Sequence, residues 1–363
     1  MRYIIIIIFF IFTIAGCNKF LEQSPQDFIT PENYFNNATE AYNSLLGLYA
    51  GFTDNGVGLY GATVVGGWGV PTDEVFANNA NSVNSLVFDA TSPTISNYWN
   101  QCFKYINNCN LFLESIDKPT MDSATREVYR AEARFLRAYY YFILTSNFGD
   151  VPLKTSSTQA SNGFNIAFTP SKDIYNFILT EMTVAEQHVN DVDPTQQQPV
   201  RISKQVVRGI LARVNLYMAG YPLMLISHYN DAATWAKKVI DANKNSLNPD
   251  YHQIWINIAQ DAYDLKESMW EAEFTAPAPP YYRASSWVSQ TTPGIACPNT
   301  NTVVGYTLDW FKVTYTLAGL YNTDTMDNRK DWNIAPFYYK GSTTWETLRD
   351  SLNKTLEIGR AHV

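Results

Sequence analysis

The chain has 363 residues, 46% of them hydrophobic and 17% charged, a balance that builds a large folded core and excludes a disordered polypeptide. A formal charge of −8 argues against a nucleic-acid partner, whose binding relies on a clustered basic surface, and the sequence shows no such cluster. The 24 Tyr and 9 Trp are more rings than a core of this size needs to hide, so some are expected at the surface.

In chain order, Arg2 precedes an apolar stretch over 4–12 and then Ile14-Ala15-Gly16-Cys17. This is the layout of a signal peptide, charged start, hydrophobic middle and small-residue cleavage site. About eleven apolar residues at ~1.5 Å rise reach about half the ~30 Å of a bilayer core, so the segment cannot span as a helix. The four residues ending at Cys17 resemble a bacterial lipobox, which implies removal of 1–16 and lipid on Cys17. Several acyl chains at ~0.8 kcal/mol per buried methylene then give a stable anchor. Residues 17–36, with Pro25 and Pro31, read as a tether.

Helical patterns follow over 39–52, 96–116, 123–147, 169–190, 203–220 and 230–243. The third is the most explicit: Val128, Ala131, Phe135, Ala138, Tyr139 and Phe142 repeat at three-and-four spacing. Asn147, Gly149 and Pro152 end it, glycine accepting a left-handed cap and proline forcing Val151 to be extended. Thr169 with Pro170 reads as an N-cap and first-turn pair, and Gly220 as the close of a helix carrying Val207, Ile210, Leu211, Val214 and Tyr217. The last two helical patterns resemble a tetratricopeptide unit, with small residues where paired helices approach. Arg126, Arg130, Arg134 and Arg137 recur along one flank, where like charges repel. Buried or half-buried arginine–carboxylate pairs between helices are the favoured reading, a ligand site the other.

Cys102 and Cys109 lie seven residues apart, about 10 Å along a helix axis and past the ~7 Å limit for a disulfide, so they are expected as buried thiols. Beyond about residue 250 the pattern dissolves into long loops; 275–298 holds Pro277, Pro279, Pro280 and Pro293. Residues 37–250 are therefore taken as a helical domain and 251–357 as an incomplete, loop-rich C-terminal region. Glu357 to Val363 matches the peptide that a common sequencing adapter would encode, and 358–363 is set aside as a non-native tail.

Catalytic signatures are weak. Gly56-Val57-Gly58-Leu59-Tyr60-Gly61 matches G-x-G-x-x-G, but it follows a helical pattern and not a strand, which refuses a dinucleotide site. His188, His228 and His252 stand apart, with no H-E-x-x-H, zinc-spaced cysteines or G-x-S-x-G. A glycosidase needs two carboxylates flanking the scissile bond; Asp73, Glu74, Glu271 and Glu273 are present without a reason in sequence to converge. No metal, no cofactor and no enzymatic activity are expected, with glycoside hydrolysis as the remote alternative.

The run Tyr129 to Leu153 resembles the signature of the SusD/RagB family of Bacteroidetes surface lipoproteins. Similar elements stand in family order: the lipobox with Phe20-Leu21-Glu22, Thr72-Asp73-Glu74, then Trp99 with Tyr105-Ile106 and Asn110. Arg201-Ile202-Ser203-Lys204 leading to Ala212-Arg213, the 235–239 helix, Glu271 after a short strand, and Asp327-x-Arg329-x-Asp331 complete them. The resemblance implies a mainly α fold: TPR-like helix pairs in a right-handed superhelical scaffold, with long loops and a little β structure. It implies a lipid-anchored, surface-exposed outer-membrane protein that captures glycan and passes it to a SusC-like TonB-dependent transporter. The alternative it leaves is a member that binds peptide or another nutrient, or only gates the transporter.

Glycan recognition needs flat apolar faces for the sugar ring and amide or carboxylate groups for its hydroxyls. Two segments supply both: Trp68 through Asn84 with Asn78, Asn79 and Asn81, and the loop carrying Tyr281, Tyr282 and Trp287. Trp310 is a third, weaker candidate.

Overall fold

The computed structural model describes residues 34–53, 59–60, 74–77, 89, 91–158, 166–191, 200–260, 262–272, 311–324, 326–334, 337–339 and 345–347. The first helix, α1 (Ala38–Tyr49), is started by its own flank: Asn37 accepts the Glu40 N–H at 3.0 Å, and the Glu40 carboxylate accepts the Asn36 N–H at 2.8 Å. This reciprocal arrangement satisfies end groups that the helix cannot pair internally. A short 3₁₀ turn, Ala50–Phe52, follows. The next helix, α2 (Pro93–Ser115), has proline in its first turn, where the missing N–H costs nothing. It begins three residues before the expected start at Ser96.

Helix α3 (Ser123–Phe148) opens on Asp122, whose carboxylate accepts the Thr125 N–H at 2.8 Å, and closes on Gly149 at φ +72°. Ala131, Phe135, Ala138, Tyr139 and Phe142 are buried as the periodicity requires, while Val128 is half-buried. The buried set is wider than that stripe, because Leu136, Tyr140, Tyr141, Ile143 and Leu144 are also buried. The cause is the position of α3, which packs against α1, α2, α4 (Ser171–His188) and α5 (Lys204–Ala219). A helix enclosed on several sides buries more than one stripe.

From α2 to α6 (His228–Ala242) each helix packs on its neighbour in sequence, the TPR-like arrangement of helix pairs. Val151–Pro152 (β2) pairs antiparallel with Phe168–Thr169 (β3) before α4 starts. Thr169 is thus a strand residue facing Val151 and not a helix cap, and Pro170 stands at the cap position without a side-chain bond. The strand wins because its partner, set extended by Pro152, lies beside it. Two other antiparallel ribbons join Val75–Ala77 (β1) to Phe311–Val313 (β4) and Phe337–Tyr339 (β5) to Trp345–Thr347 (β6). The fold is mainly helical with a little β structure, as expected.

The region beyond residue 250 is more ordered than a string of loops. Asp250 caps α7 (Tyr251–Ala259) by accepting the His252 N–H at 2.9 Å, and α8 (Tyr315–Tyr321) and α9 (Lys330–Asn333) follow. Residues 268–272 are irregular with a bend at Met269, not the expected strand, and they lay Trp270 against the helical core.

Arginine–carboxylate pairs tie the helices together, as the favoured reading of the arginine flank had it. Arg137 of α3 meets Glu181 of α4 at 2.5 Å with both side chains 9% exposed, and it donates to Asn110 Oδ1 of α2 at 2.8 Å. Arg134 reaches Glu181 at 3.4 Å, Arg130 holds Asp117 at 2.6 Å, and Arg126 donates to the Pro119 carbonyl at 2.7 Å. Such fork-shaped, charge-assisted bonds fix helix register as well as adding energy. Arg201 pairs with the buried Glu132 of α3, which also accepts from Tyr49 of α1, while Ile202 enters the core and Ser203 caps α5. Burial pushes the Glu132 carboxyl up and the Tyr49 phenol further up. Cys102 and Cys109 are free and buried, and burial raises both thiols. Among the described residues, no helix is long and apolar enough to cross a membrane.

Candidate functional site

A cavity of about 670 Å³ opens between α5 and the bend at 267–272, with Phe52, Tyr60 and Tyr139 behind it. Its size falls in the range of about 300–1,000 Å³ typical of small-ligand sites. Val206, Gly209, Ile210 and Arg213 come from one side of α5 at helical spacing, so about two turns supply both apolar floor and cation. Glu267, Ser268, Met269, Trp270 and Ala272 form the opposite wall. The two walls approach closely at Gly209, where an added Cβ would sit 3.2 Å from the Met269 methyl.

The rings are fixed by one another. Trp270 meets Phe52 edge-on at 5.4 Å between centroids, Tyr139 at 5.2 Å and Phe135 at 5.8 Å. Its indole N–H donates to the Val200 carbonyl at 3.2 Å, which sets the plane of the ring. Phe52 in turn stacks on Tyr140 at 5.0 Å. Tyr60 and Tyr139 share a hydroxyl–hydroxyl hydrogen bond of 2.6 Å at the back of the cavity. Burial raises both phenols, so they stay neutral donors at physiological pH, and the positive charge of Arg213 partly offsets the rise.

Arg213 is exposed and, among the described residues, makes no hydrogen bond or ion pair. Glu267 is half-buried and its Oε2 accepts the Asn248 N–H. The arrangement can hold a ring-shaped ligand between aromatic and aliphatic walls and offer it one phenol donor, a guanidinium and a carboxylate. Glu267 is the one carboxylate among the described residues of the lining, whereas glycoside cleavage needs two.

Cys17, Trp68, Asn78, Asn79, Asn81, Tyr281, Tyr282, Trp287 and Trp310 lie outside the described residues. Two of them have described chain neighbours that meet: Ala77 pairs with Phe311 at the end of the β1–β4 ribbon, one residue from Asn78 and one from Trp310. The sequence reading missed Phe52, Tyr60, Tyr139 and Trp270 as a group. Tyr139 was legible as a core residue and Trp270 as an apolar residue in a loop, but nothing local links positions so far apart. Asp73 and Glu273 also fall outside the described residues, while Glu74 is exposed at the head of β1 and Glu271 half-buried beside Trp270. Among the described residues, no cluster of His, Cys, Asp and Glu is arranged to hold a metal ion.

The family model for SusD-like proteins, described as starch-binding and associating with the outer membrane, matches residues 20–216. SusD-like protein P25 of Formosa agariphila is 24% identical over 224 residues, covering 59% of this chain and 42% of the relative. SusD-like protein P2 of the same organism is 23% identical over 281 residues, covering 75% and 53%. Among solved structures, a SusD homologue from Bacteroides thetaiotaomicron superposes with a TM-score of 0.72 at 26% identity, over 87% of this chain and 61% of that one. A laminarin-binding SusD-like protein shares the fold at 18% identity, with a TM-score of 0.65 over 80% of this chain and 65% of that one. The chain spans about half the length of the curated relatives it matches.

Proposed function

We propose, from the premise that this chain belongs to the SusD-like family, that it is a lipid-anchored, surface-exposed glycan-binding protein of the outer membrane. The observation that carries this reading is the family match over 20–216, whose description joins starch binding to the outer membrane. In this account the lipobox ending at Cys17 fastens the mature protein, and 17–36 tethers the helical scaffold. Loops around Trp68, Asn78, Asn79 and Asn81, with Tyr281, Tyr282, Trp287 and Trp310, present rings and amides to a glycan. The pairing of Ala77 with Phe311 supports a shared platform for two of these segments.

Binding is at equilibrium on a preformed surface, and no bond is broken. Bound glycan passes to a SusC-like TonB-dependent transporter, over which the protein acts as a lid. A lasting contact of that kind needs exposed apolar area, which Tyr217, Tyr221, Met224, Ile226 and Tyr229 supply around the α5–α6 turn. Native gels cast with individual polysaccharides test the capture step. At least one polymer is expected to retard the full chain, and the double substitution Trp68→Ala with Trp287→Ala to relieve the retardation. Retardation unchanged in the double variant removes those two residues, and no retardation by any polymer removes glycan capture. The anchor is tested separately: Cys17→Ala is expected to leave the membrane fraction, and its full retention there contradicts lipidation at Cys17.

A further inference from the structure

The described arginines differ in one respect. Arg126, Arg130, Arg134, Arg137, Arg201, Arg208 and Arg329 each hold a carboxylate or a carbonyl. Arg213 holds neither, although it stands at the mouth of an aromatic cavity. Its charge is felt by the Tyr60 and Tyr139 phenols behind it, which places the guanidinium within electrostatic reach of the interior. Glu267 lines the same cavity, and no ion pair joins it to Arg213.

We propose that this cavity takes the acidic residue of a glycan, a hexuronate whose ring lies against Trp270 and Tyr60 and whose carboxylate pairs with Arg213. The inference rests on the glycan-binding reading above and names its substrate class. A neutral sugar would leave the guanidinium unmatched beside an apolar wall, where a carboxylate matches its planar fork with two parallel bonds. The free oxygen of Glu267 and the phenol pair then serve the hydroxyls, the carboxylate accepting and the pair donating the one O–H that is not spent between Tyr60 and Tyr139. A sulfate ester also presents two oxygens to the fork, so a sulfated oligosaccharide is the competing outcome of the test.

The test is calorimetric titration of the full chain with oligomers of glucuronate, galacturonate and mannuronate, each beside its carboxyl-reduced neutral counterpart, and with a sulfated neutral oligosaccharide. At least one uronate oligomer is expected to bind about three- to fivefold tighter than its reduced form, the discrimination of one well-formed pair at an exposed guanidinium. Arg213→Gln is expected to erase that ratio and leave thermal unfolding unchanged, since Arg213 has no partner to lose, and Arg213→Lys to keep part of it. Raising salt weakens only the acidic ligand. Equal affinity for acidic and reduced oligomers, preference for the sulfated one, or a ratio that survives Arg213→Gln overturns the proposal while glycan binding stands. If no oligomer binds, acidic or neutral, both this proposal and the reading beneath it fall.

Discussion

Replacing Glu181 with methionine strips the buried Arg137 guanidinium of its counter-charge. The two side chains meet at 2.5 Å and are each 9% exposed, so water cannot take the place of the lost carboxylate. Removing one member of a buried pair costs about 3–5 kcal/mol. Two bonds soften the loss, from Arg137 to Asn110 Oδ1 at 2.8 Å and to the Thr155 carbonyl at 3.4 Å, so the low end of about 3 kcal/mol is expected. Arg134 loses a contact of 3.4 Å from a side chain one-third exposed, which adds at most ~1 kcal/mol. Arg137→Met fails for the mirror-image reason. Combining it with Glu181→Met discards both charges, and the residual cost is the unpaired Asn110 oxygen at ~1–3 kcal/mol. Urea unfolding of the four proteins in the cycle, followed by circular dichroism, should give single losses that sum to well above the double loss, with a coupling of about 2 kcal/mol or more. Single losses below ~1 kcal/mol, or additivity within ~0.5 kcal/mol, would refute the network as the tie between α2, α3 and α4.

Three other outcomes follow from the packing. Gly51→Ala would place a methyl 2.6 Å from the Tyr105 ring and onto the Tyr140 hydroxyl, so a loss of about 1–3 kcal/mol from overpacking is expected in the same unfolding assay; wild-type stability would show that the 3₁₀ turn after α1 does not pack as described. The hydrogen bond from the Thr125 N–H holds the Asp122 carboxyl below its ordinary value, so its stabilising effect is present above pH 3.8 and fades as pH falls through the lowered value. The melting difference between wild type and Asp122→Ala should therefore shrink as pH drops below 3.8, and a difference that grows there would contradict the cap. Cys102 and Cys109 should resist alkylation at neutral pH until the chain unfolds, because burial keeps both thiols protonated and shielded; rapid labelling of the native protein would show the α2 core to be open.

Much of the helical scaffold is legible in sequence because its signals are local. Asp122, Gly149 and Ser203 mark ends that a few neighbouring residues determine, and the spacing of Phe135, Tyr139 and Phe142 marks a buried face. The arginine flank was legible for a related reason: four like charges on a packed helix require acids elsewhere, and Glu181 and Asp117 provide them. Helix α7 was missed although Asp250 is a good cap, since Tyr251 to Ala259 is apolar with little alternation and short. Thr169 was misplaced because cap and strand chemistry compete at one residue, and the pairing with Val151 decides between them. The cavity was illegible for a stronger reason. Phe52, Tyr60, Tyr139, Arg213 and Trp270 are brought together by the packing of α3 and α5 and by the bend at 267–272, none of which is a property of neighbouring residues.

The most direct measurement of the central claim is a crystal structure of the full chain with a glycan that it retains in native gels. The account predicts an intact oligosaccharide with a sugar ring flat against an aromatic side chain, in the Trp270 cavity or on the loops of Trp68 and Trp287. A cleaved sugar seated between two carboxylates, or a ligand held away from every aromatic ring, would contradict it.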